Sequence, residues 1–450
     1  MTDTSHTKSG FSRAFASFIM EPPSATGCHS TPKPPSAVGS IIVPEETFMQ
    51  RAICIAAKGG GWVNPNPQVG AVIVKDSRII AEGYHARFGE GHAERNAIAA
   101  SNEPLDGAAL YVTLEPCCHF GKTPPCTEAI IEQGFARVII GSPDPNHLVA
   151  GKGAALLQEA GIEVVSGFMQ DECDRLNQIF FHYIRTGTPY VTLKYAMTSD
   201  GKIATHTGAS KWITGDEARE DVHRLRDRYA AIMVGIGTVL ADDPLLNCRI
   251  SGGHNPLRVI CDSKLRIPPE SQIVSTAPTL PTLIVTKVKN EGKMAYLKEQ
   301  GCDVLVMPTD SKCAVSKQQH INNKNLQGSL SPEQSELDKK QIDLAQLMRI
   351  LGERGIDSVL IEGGPRLHGS ALEAGIVNKV RCYIAPKLFG GLHAPSPISG
   401  IGVSKPDEAY QLRNVFVETF GDDLCIEGEL KRDLLPEDPP GCEGLESEVF

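Results

Sequence analysis

Apolar and polar positions alternate along most of the chain in two periods, one near 3.6 residues and one near 2, separated by Gly and Pro breaks. From Phe48 to Lys58 the helical period predicts a helix with Ile53, Ile55, Ala56 and Ala57 inward and Gly59-Gly60-Gly61 as its stop. Val69–Val74 is a near-continuous apolar run, the mark of a buried strand, and Arg78–Ala81 reads as its partner. His92–Ala100 is Ala-rich and helical, Ala108–Leu114 is a strand, Thr127–Gln133 a helix closed by Gly134, and Arg137–Ile140 a strand. Thr188-Pro189 breaks the pattern. Beyond it, Tyr190–Lys194, Ala231–Val234, Leu257–Ile260, Thr282–Val285, Val304–Val306 and Ser358–Ile361 read as strands alternating with helices. Strands alternating with helices predict α/β layers in two units, residues 44–187 and 188–431.

Three segments lie outside this pattern. Residues 1–43 are rich in Ser, Thr and Pro and poor in aliphatics, which predicts a flexible extension. The short run Phe11–Met20 with Arg13 leaves an organellar transit peptide as the alternative. A polar stretch at about 308–340 reads as a surface insertion, and residues 432–450 form an acidic tail with Pro and Gly.

Composition narrows the class. At 450 residues, 41% hydrophobic and 22% charged, the chain is long enough for two or three packed domains, which excludes a wholly disordered or collagen-like protein. No apolar run approaches the roughly 18 residues that would span a bilayer, so no membrane partner is expected. The net charge of −10 disfavours nucleic-acid binding, which needs a basic surface. The thirteen cysteines are an odd number, scattered through apolar runs except for the cluster Cys117, Cys118 and Cys126, so the chain is read as reduced, intracellular and cytoplasmic.

That cluster carries the first chemistry. Gly91-His92-Ala93-Glu94 is followed by Glu115-Pro116-Cys117-Cys118 and Pro124-Pro125-Cys126. One imidazole and two thiolates suit zinc, and three protein ligands leave a position for water. Glu94, two residues from His92, is placed to take a proton from that water and pass it to a leaving nitrogen. His-x-Glu followed by Pro-Cys is the zinc-deaminase arrangement. The usual pattern has two residues between its cysteines; Cys117 and Cys126 have eight, which leaves Cys118 or His119 as alternative ligands. Asn66, in the rigid Asn64-Pro65-Asn66-Pro67 turn, offers a donor and an acceptor to a ring edge, and His85 and Lys122 are cations for a phosphate.

The run Asn64-Pro65-Asn66-Pro67-x-Val69-Gly70, then Gly91–Glu94, then Leu114–Cys126 resembles the deaminase half of the bifunctional riboflavin-biosynthesis deaminase/reductase family, whose own cysteine spacing is the eight-residue gap. The resemblance implies zinc on His92, Cys117 and Cys126, Glu94 as the proton shuttle, and substrate contacts at Asn66, His85 and Lys122. In the second half, Leu193–Ala204, Ser210–Gly215, Val234–Thr238, Leu240–Arg249 and Ile361–Pro365 resemble the family's reductase half. By residues alone this half is weaker: glycines follow the strands, yet no full Gly-x-Gly-x-x-Gly is present.

The resemblance covers about residues 45–430. It implies a cytidine-deaminase-like α/β/α domain followed by a dihydrofolate-reductase-like α/β domain, both active. It implies NADPH contacts at Ala196, Trp212, Thr238, Asp242, Ser263 and the loop Gly364, Pro365, Arg366, Leu367, His368, Gly369 and Ser370. Ser210, Arg226, Leu246, Arg249 and Glu362 would hold the sugar phosphate, with Lys194 and Glu362 handling protons and orientation. The expected partner is a phosphorylated pyrimidine, with neither nucleic acid nor membrane, and a homo-oligomer is expected. The rival readings are a nucleic-acid base deaminase and a non-catalytic module closed around zinc by four ligands.

Overall fold

The Val69–Val74 run forms an inner strand because both of its faces are covered. In a computed structural model, which describes residues 44–119, 124–146, 150–308 and 341–431, this strand, β1 (Gly70–Lys75), turns through Asp76 and Ser77 into β2 (Arg78–Tyr84). Both turn residues have positive φ, 50° and 59°, the twist that lets an antiparallel hairpin close tightly. Next come β3 (Ala109–Leu114), β4 (Arg137–Ser142) and β5 (Glu163–Ser166), and the sheet order is β2-β1-β3-β4-β5. β1 pairs antiparallel with β2 and β3, while β3, β4 and β5 are parallel. Ala71, Ile73, Ala97, Leu110, Val112, Ile130, Val138 and Ile140 make its core with the helices Ala93–Ala100 and Cys126–Glu132.

The first helix departs from its expected bounds. It runs Glu45–Ala56, turning Phe48, Met49, Ala52, Ile55 and Ala56 inward, while Ile53 is half-buried and Ala57 is exposed. The three glycines do not stop the chain at the surface. They lie in a 3-10 segment, Ala57–Val63, that kinks at Gly60, where φ is 52°, and all three are buried. A Cβ at Gly61 would lie 2.0 Å from the Asp227 carbonyl oxygen, so the glycines allow backbone approach to the second half of the chain.

The second sheet has nine strands: β6 (Tyr190–Thr198), β7 (Ala231–Gly235), β8 (Leu257–Cys261), β9 (Thr282–Thr286), β10 (Asp303–Val306), β11 (Ser358–Gly363), β12 (Lys379–Ala385), β13 (Leu412–Phe420) and β14 (Asp423–Leu430). Their order is β10-β9-β8-β7-β11-β6-β12-β14-β13. The seven strands from β10 to β12 are parallel, and the last two run antiparallel. The chain builds outward from β7 to β10, then returns to insert β11 between β7 and β6. Ligands of open α/β sheets bind beyond the carboxyl ends of strands at such a switch point. Two apolar clusters pack the sheet, one around Val191, Leu193, Met233, Leu347 and Ile361, the other around Ile232, Val234, Ile260, Ile273 and Ile284.

Both sheets belong to one compact unit that begins at Pro44. The 1–43 extension, the 432–450 tail and nearly all of the 308–340 insertion lie outside the described residues. Among the described residues no helix is long and apolar enough to cross a membrane.

Candidate functional site

His92 is the N-cap of helix Ala93–Ala100, and Cys126 opens helix Cys126–Glu132. Cys117 follows β3 by three residues. The Cys126 backbone N–H donates to the Cys117 carbonyl at 3.1 Å and lies 3.4 Å from its Sγ. His92 Nδ1 lies 3.4 Å from Cys117 Sγ and 3.3 Å from Cys126 Sγ. The three ligand atoms all fall within 4.8 Å of one another. Among the described residues, neither Cys118 nor the exposed His119 joins this group, which favours Cys126 as the second cysteine.

An imidazole and two thiols converging on one point fit zinc. Their protonation agrees. Hydrogen bonding from Cys126, then from His92, draws the Cys117 thiol down to about 4, while its bond with Cys117 and burial push Cys126 well above the usual thiol value. Glu94 is 3% exposed, and burial, with Cys117 nearby, raises its carboxyl above the ordinary value. A carboxyl whose proton affinity is raised is suited to carry a proton.

Asn66 and His85 meet beside this triad. Asn66 Nδ2 lies 3.2 Å from His85 Nε2, His85 Nδ1 lies 3.1 Å from the Gly91 carbonyl, and the His85 and His92 rings meet edge to face at 5.8 Å. Burial holds His85 below its usual value, so at neutral pH it faces Asn66 as a neutral ring and not as the cation expected from sequence. Lys122 lies outside the described residues. One residue of the Glu-Pro-Cys run had a signal in the sequence but no role read from it: buried Glu115 accepts from the backbone N–H groups of Asp144, Gly151 and Ala154 at 3.3, 3.0 and 3.1 Å, holding the loop after β4 against the cysteine loop.

A second group gathers at the switch point of the large sheet. Glu362, near the end of β11, takes a two-pronged bond from Arg226, Nε to Oε1 at 2.8 Å and Nη2 to Oε2 at 2.9 Å. Lys194 Nζ, from β6, is 3.9 Å from the same carboxylate. Burial alone would raise Glu362, but the charge and bonds of Arg226, with Lys194, outweigh it and hold the carboxyl at about 2. Burial lowers Lys194 from the usual amine value against the pull of Glu362. Arg226 also donates to the Asn247 carbonyl at 3.1 Å, so three of the five N–H donors of its fork are engaged within the protein. Arg249 is exposed and bonds His223 at 3.0 Å. Leu246 is buried with φ of 53°, at a bend in the same loop.

The residues expected to meet a dinucleotide are divided. Ser210 Oγ donates to Asp242 at 3.2 Å, and Thr238 Oγ1 would lie 3.0 Å from a Cβ at Gly363. Gly364 caps helix Pro365–Glu373, so Pro365–Ser370 are helical and not a loop. That geometry turns several of them inward. Leu367 packs in the core, His368 is buried with Nδ1 2.8 Å from the Pro397 carbonyl, and Gly369 lies against Ser399. Ser370 bonds Gln341, while Arg366 is exposed. Ala196 is half-buried beside Val222 and Tyr383, Ser263 follows β8, and Trp212 is 59% exposed with the Arg219 guanidinium 4.6 Å from its ring centre.

Comparison with known proteins agrees with both halves. Residues 31–142 match the cytidine and deoxycytidylate deaminase zinc-binding region, and residues 189–426 match the RibD C-terminal domain. The fold and the site therefore define a zinc-binding deaminase domain joined to a reductase domain of the NADPH-dependent type. Riboflavin biosynthesis protein RibD of Actinobacillus pleuropneumoniae is 50% identical over 380 residues, 84% of this chain and 94% of the relative. That of Escherichia coli K12 is 38% identical, over 85% and 98%. The crystal structure of a diaminohydroxyphosphoribosylaminopyrimidine deaminase/5-amino-6-(5-phosphoribosylamino)uracil reductase from Thermotoga maritima superposes with a TM-score of 0.71 at 38% identity, covering 86% of this chain and 98% of that one. The RibD structure from Acinetobacter baumannii gives 0.71 at 34% identity, covering 86% and 99%. The chain belongs to the riboflavin biosynthesis protein RibD family of bifunctional deaminase/reductases.

Proposed function

We propose that residues 44–187 deaminate 2,5-diamino-6-(5-phosphoribosylamino)pyrimidin-4(3H)-one, and that residues 188–431 reduce the ribosyl chain of the resulting uracil with NADPH. The product is 5-amino-6-(5-phosphoribitylamino)uracil. The observation that carries the reading is the convergence of His92, Cys117 and Cys126 beside a buried carboxyl, Glu94, with its proton affinity raised.

His92 Nδ1 and the two sulfurs would hold zinc, which when bound supplies a water activated near neutral pH. Glu94 takes the water proton and delivers it to the leaving amino nitrogen, so that water is consumed and ammonia released. Asn66 and neutral His85 orient the ring by hydrogen bonds, and Lys122 meets the phosphate. In the second half the ribosylamine opens to an imine at C1′. Ala196, Ser263, Asp242, Thr238, Trp212 and the helix start at Gly364–Arg366 would hold NADPH, which when bound would supply the hydride to C1′. Lys194 gives the imine nitrogen its proton, and Glu362 orients both Lys194 and Arg226. Arg249 and Ser210 reach the sugar phosphate. The protein acts as a homo-oligomer in the cytoplasm, which sedimentation and cell fractionation test.

The decisive assay follows ammonia release from the diaminopyrimidine phosphate and NADPH oxidation by the deaminated compound separately. Glu94→Gln is expected to abolish ammonia release while keeping bound zinc and NADPH oxidation. Wild-type ammonia release by that variant refutes the role of Glu94.

A further inference from the structure

The turn that carries Asn66 is fastened from the other half of the chain. Asn64 Nδ2 donates to the Arg228 carbonyl at 3.0 Å, and Arg228 Nη1 donates back to Asn64 Oδ1 at 2.9 Å. Both polar atoms of the amide are thereby occupied by one residue 164 positions away. Two residues along the turn, Asn66 reaches His85, whose ring meets His92. The Asn66 backbone N–H donates to the Val63 carbonyl at 2.8 Å, which makes the turn one stiff piece from Val63 to Asn66.

Arg228 is the last residue of helix Asp216–Arg228, which also presents Arg226 to Glu362. One helix end therefore serves both sites. The joint around it is built for close approach. A Cβ at Gly60 would lie 2.7 Å from Asp227 Oδ2 and one at Gly61 2.0 Å from the Asp227 carbonyl, while Trp62 Nε1 donates to the Gly252 carbonyl at 3.2 Å. The Asn64–Arg228 pair is also more directional than ordinary packing, since a guanidinium fork and an amide fix orientation as well as distance.

We propose that Arg228 and Asn64 are positioning residues of the deamination reaction: the reductase half reaches across to fix the turn that presents Asn66 to the deaminase substrate. The inference rests on the reading of Asn66 as a substrate contact. Neither Asn64 nor Arg228 touches the reacting atoms. They act through the turn, so their loss weakens substrate binding and leaves the metal site and the proton relay intact. It also makes deamination depend on the covalently joined reductase half, even when NADPH is absent.

The test uses the full chain with Asn64→Ala, Asn64→Asp, Arg228→Met, the Ala/Met double variant and Asn66→Ala. Ammonia release yields KM and kcat, NADPH oxidation by the deaminated substrate reports the other site, and metal analysis reports zinc. Removing a bond to a charged group predicts a KM for ammonia release raised about tenfold in Asn64→Ala. The same variant should keep kcat within about twofold, with full zinc and unchanged NADPH oxidation. Asn64→Asp keeps the acceptor for Arg228 and should fall between Ala and wild type. The double variant should be no worse than the worse single one, because both break one pair. Should Arg228→Met fail to fold, the Asn64 series, on a half-exposed turn, decides alone. A wild-type KM in Asn64→Ala beside a raised KM in Asn66→Ala overturns this inference. A wild-type KM in Asn66→Ala overturns the reading of the turn on which it rests.

Discussion

Replacing Glu362 with Gln removes the charge that Arg226 and Lys194 share. In Glu362 and Arg226 the side chains keep only 6% and 13% of their surface exposed, and the carboxyl is held at about 2 against an ordinary 4.5. Holding the carboxyl that far down corresponds to about 3 kcal/mol of stability at neutral pH. Breaking a buried pair from one side costs about 3–5 kcal/mol, because the partner is left charged and unpaired, which agrees in size. The sign follows from the depressed folded-state value: the contribution is fully present above pH 4.5 and fades as pH falls toward 2. About 1 kcal/mol of it is gone at pH 4 and about 2 kcal/mol at pH 3. Urea unfolding of wild type and Glu362→Gln, compared at pH 7 and pH 4, reads both quantities. A difference below about 1 kcal/mol at pH 7, or one that does not shrink at pH 4, refutes the claim that Arg226 and Lys194 hold Glu362 ionised in the folded chain. NADPH oxidation should fall in the same variant, since Lys194 and Arg226 lose the group that orients them.

Three further outcomes follow from the geometry. Chelating the metal should stop ammonia release and spare NADPH oxidation by the deaminated substrate, measured in parallel on one preparation. Cys117→Ser should lose stoichiometric zinc by metal analysis, whereas Cys118→Ser should keep it, because Cys118 stands outside the converging group. Gly61→Ala should destabilise the chain by about 2 kcal/mol or more in urea unfolding, because its Cβ would collide with the Asp227 backbone at 2.0 Å.

The sequence by itself determined the alternation of strands and helices, since each element's period is written in 5 to 15 or so consecutive residues. It also narrowed the candidate donors of the metal site to His92, Cys117, Cys118, His119 and Cys126, with Glu94 beside them as the proton carrier, because all of these lie within 35 positions. Short-range order is local physics, and local physics is legible in a string. Even there the choice between Cys118, His119 and Cys126 came from the likeness to a family, and only the fold brings Cys126 Sγ to His92. What the tertiary structure alone decided are the pairings over long separations. Arg226 meets Glu362 across 136 positions, and β11 inserts between β7 and β6 after the chain has built outward to β10. The resemblance implies a binding loop at Gly364–Ser370; as a capped helix this run turns Leu367, His368 and Gly369 inward, and no local signal marks that facing. The triple glycine is the sharpest case. Its composition announces a break, but its use, close approach to Asp227, exists only once the two sheets are packed together.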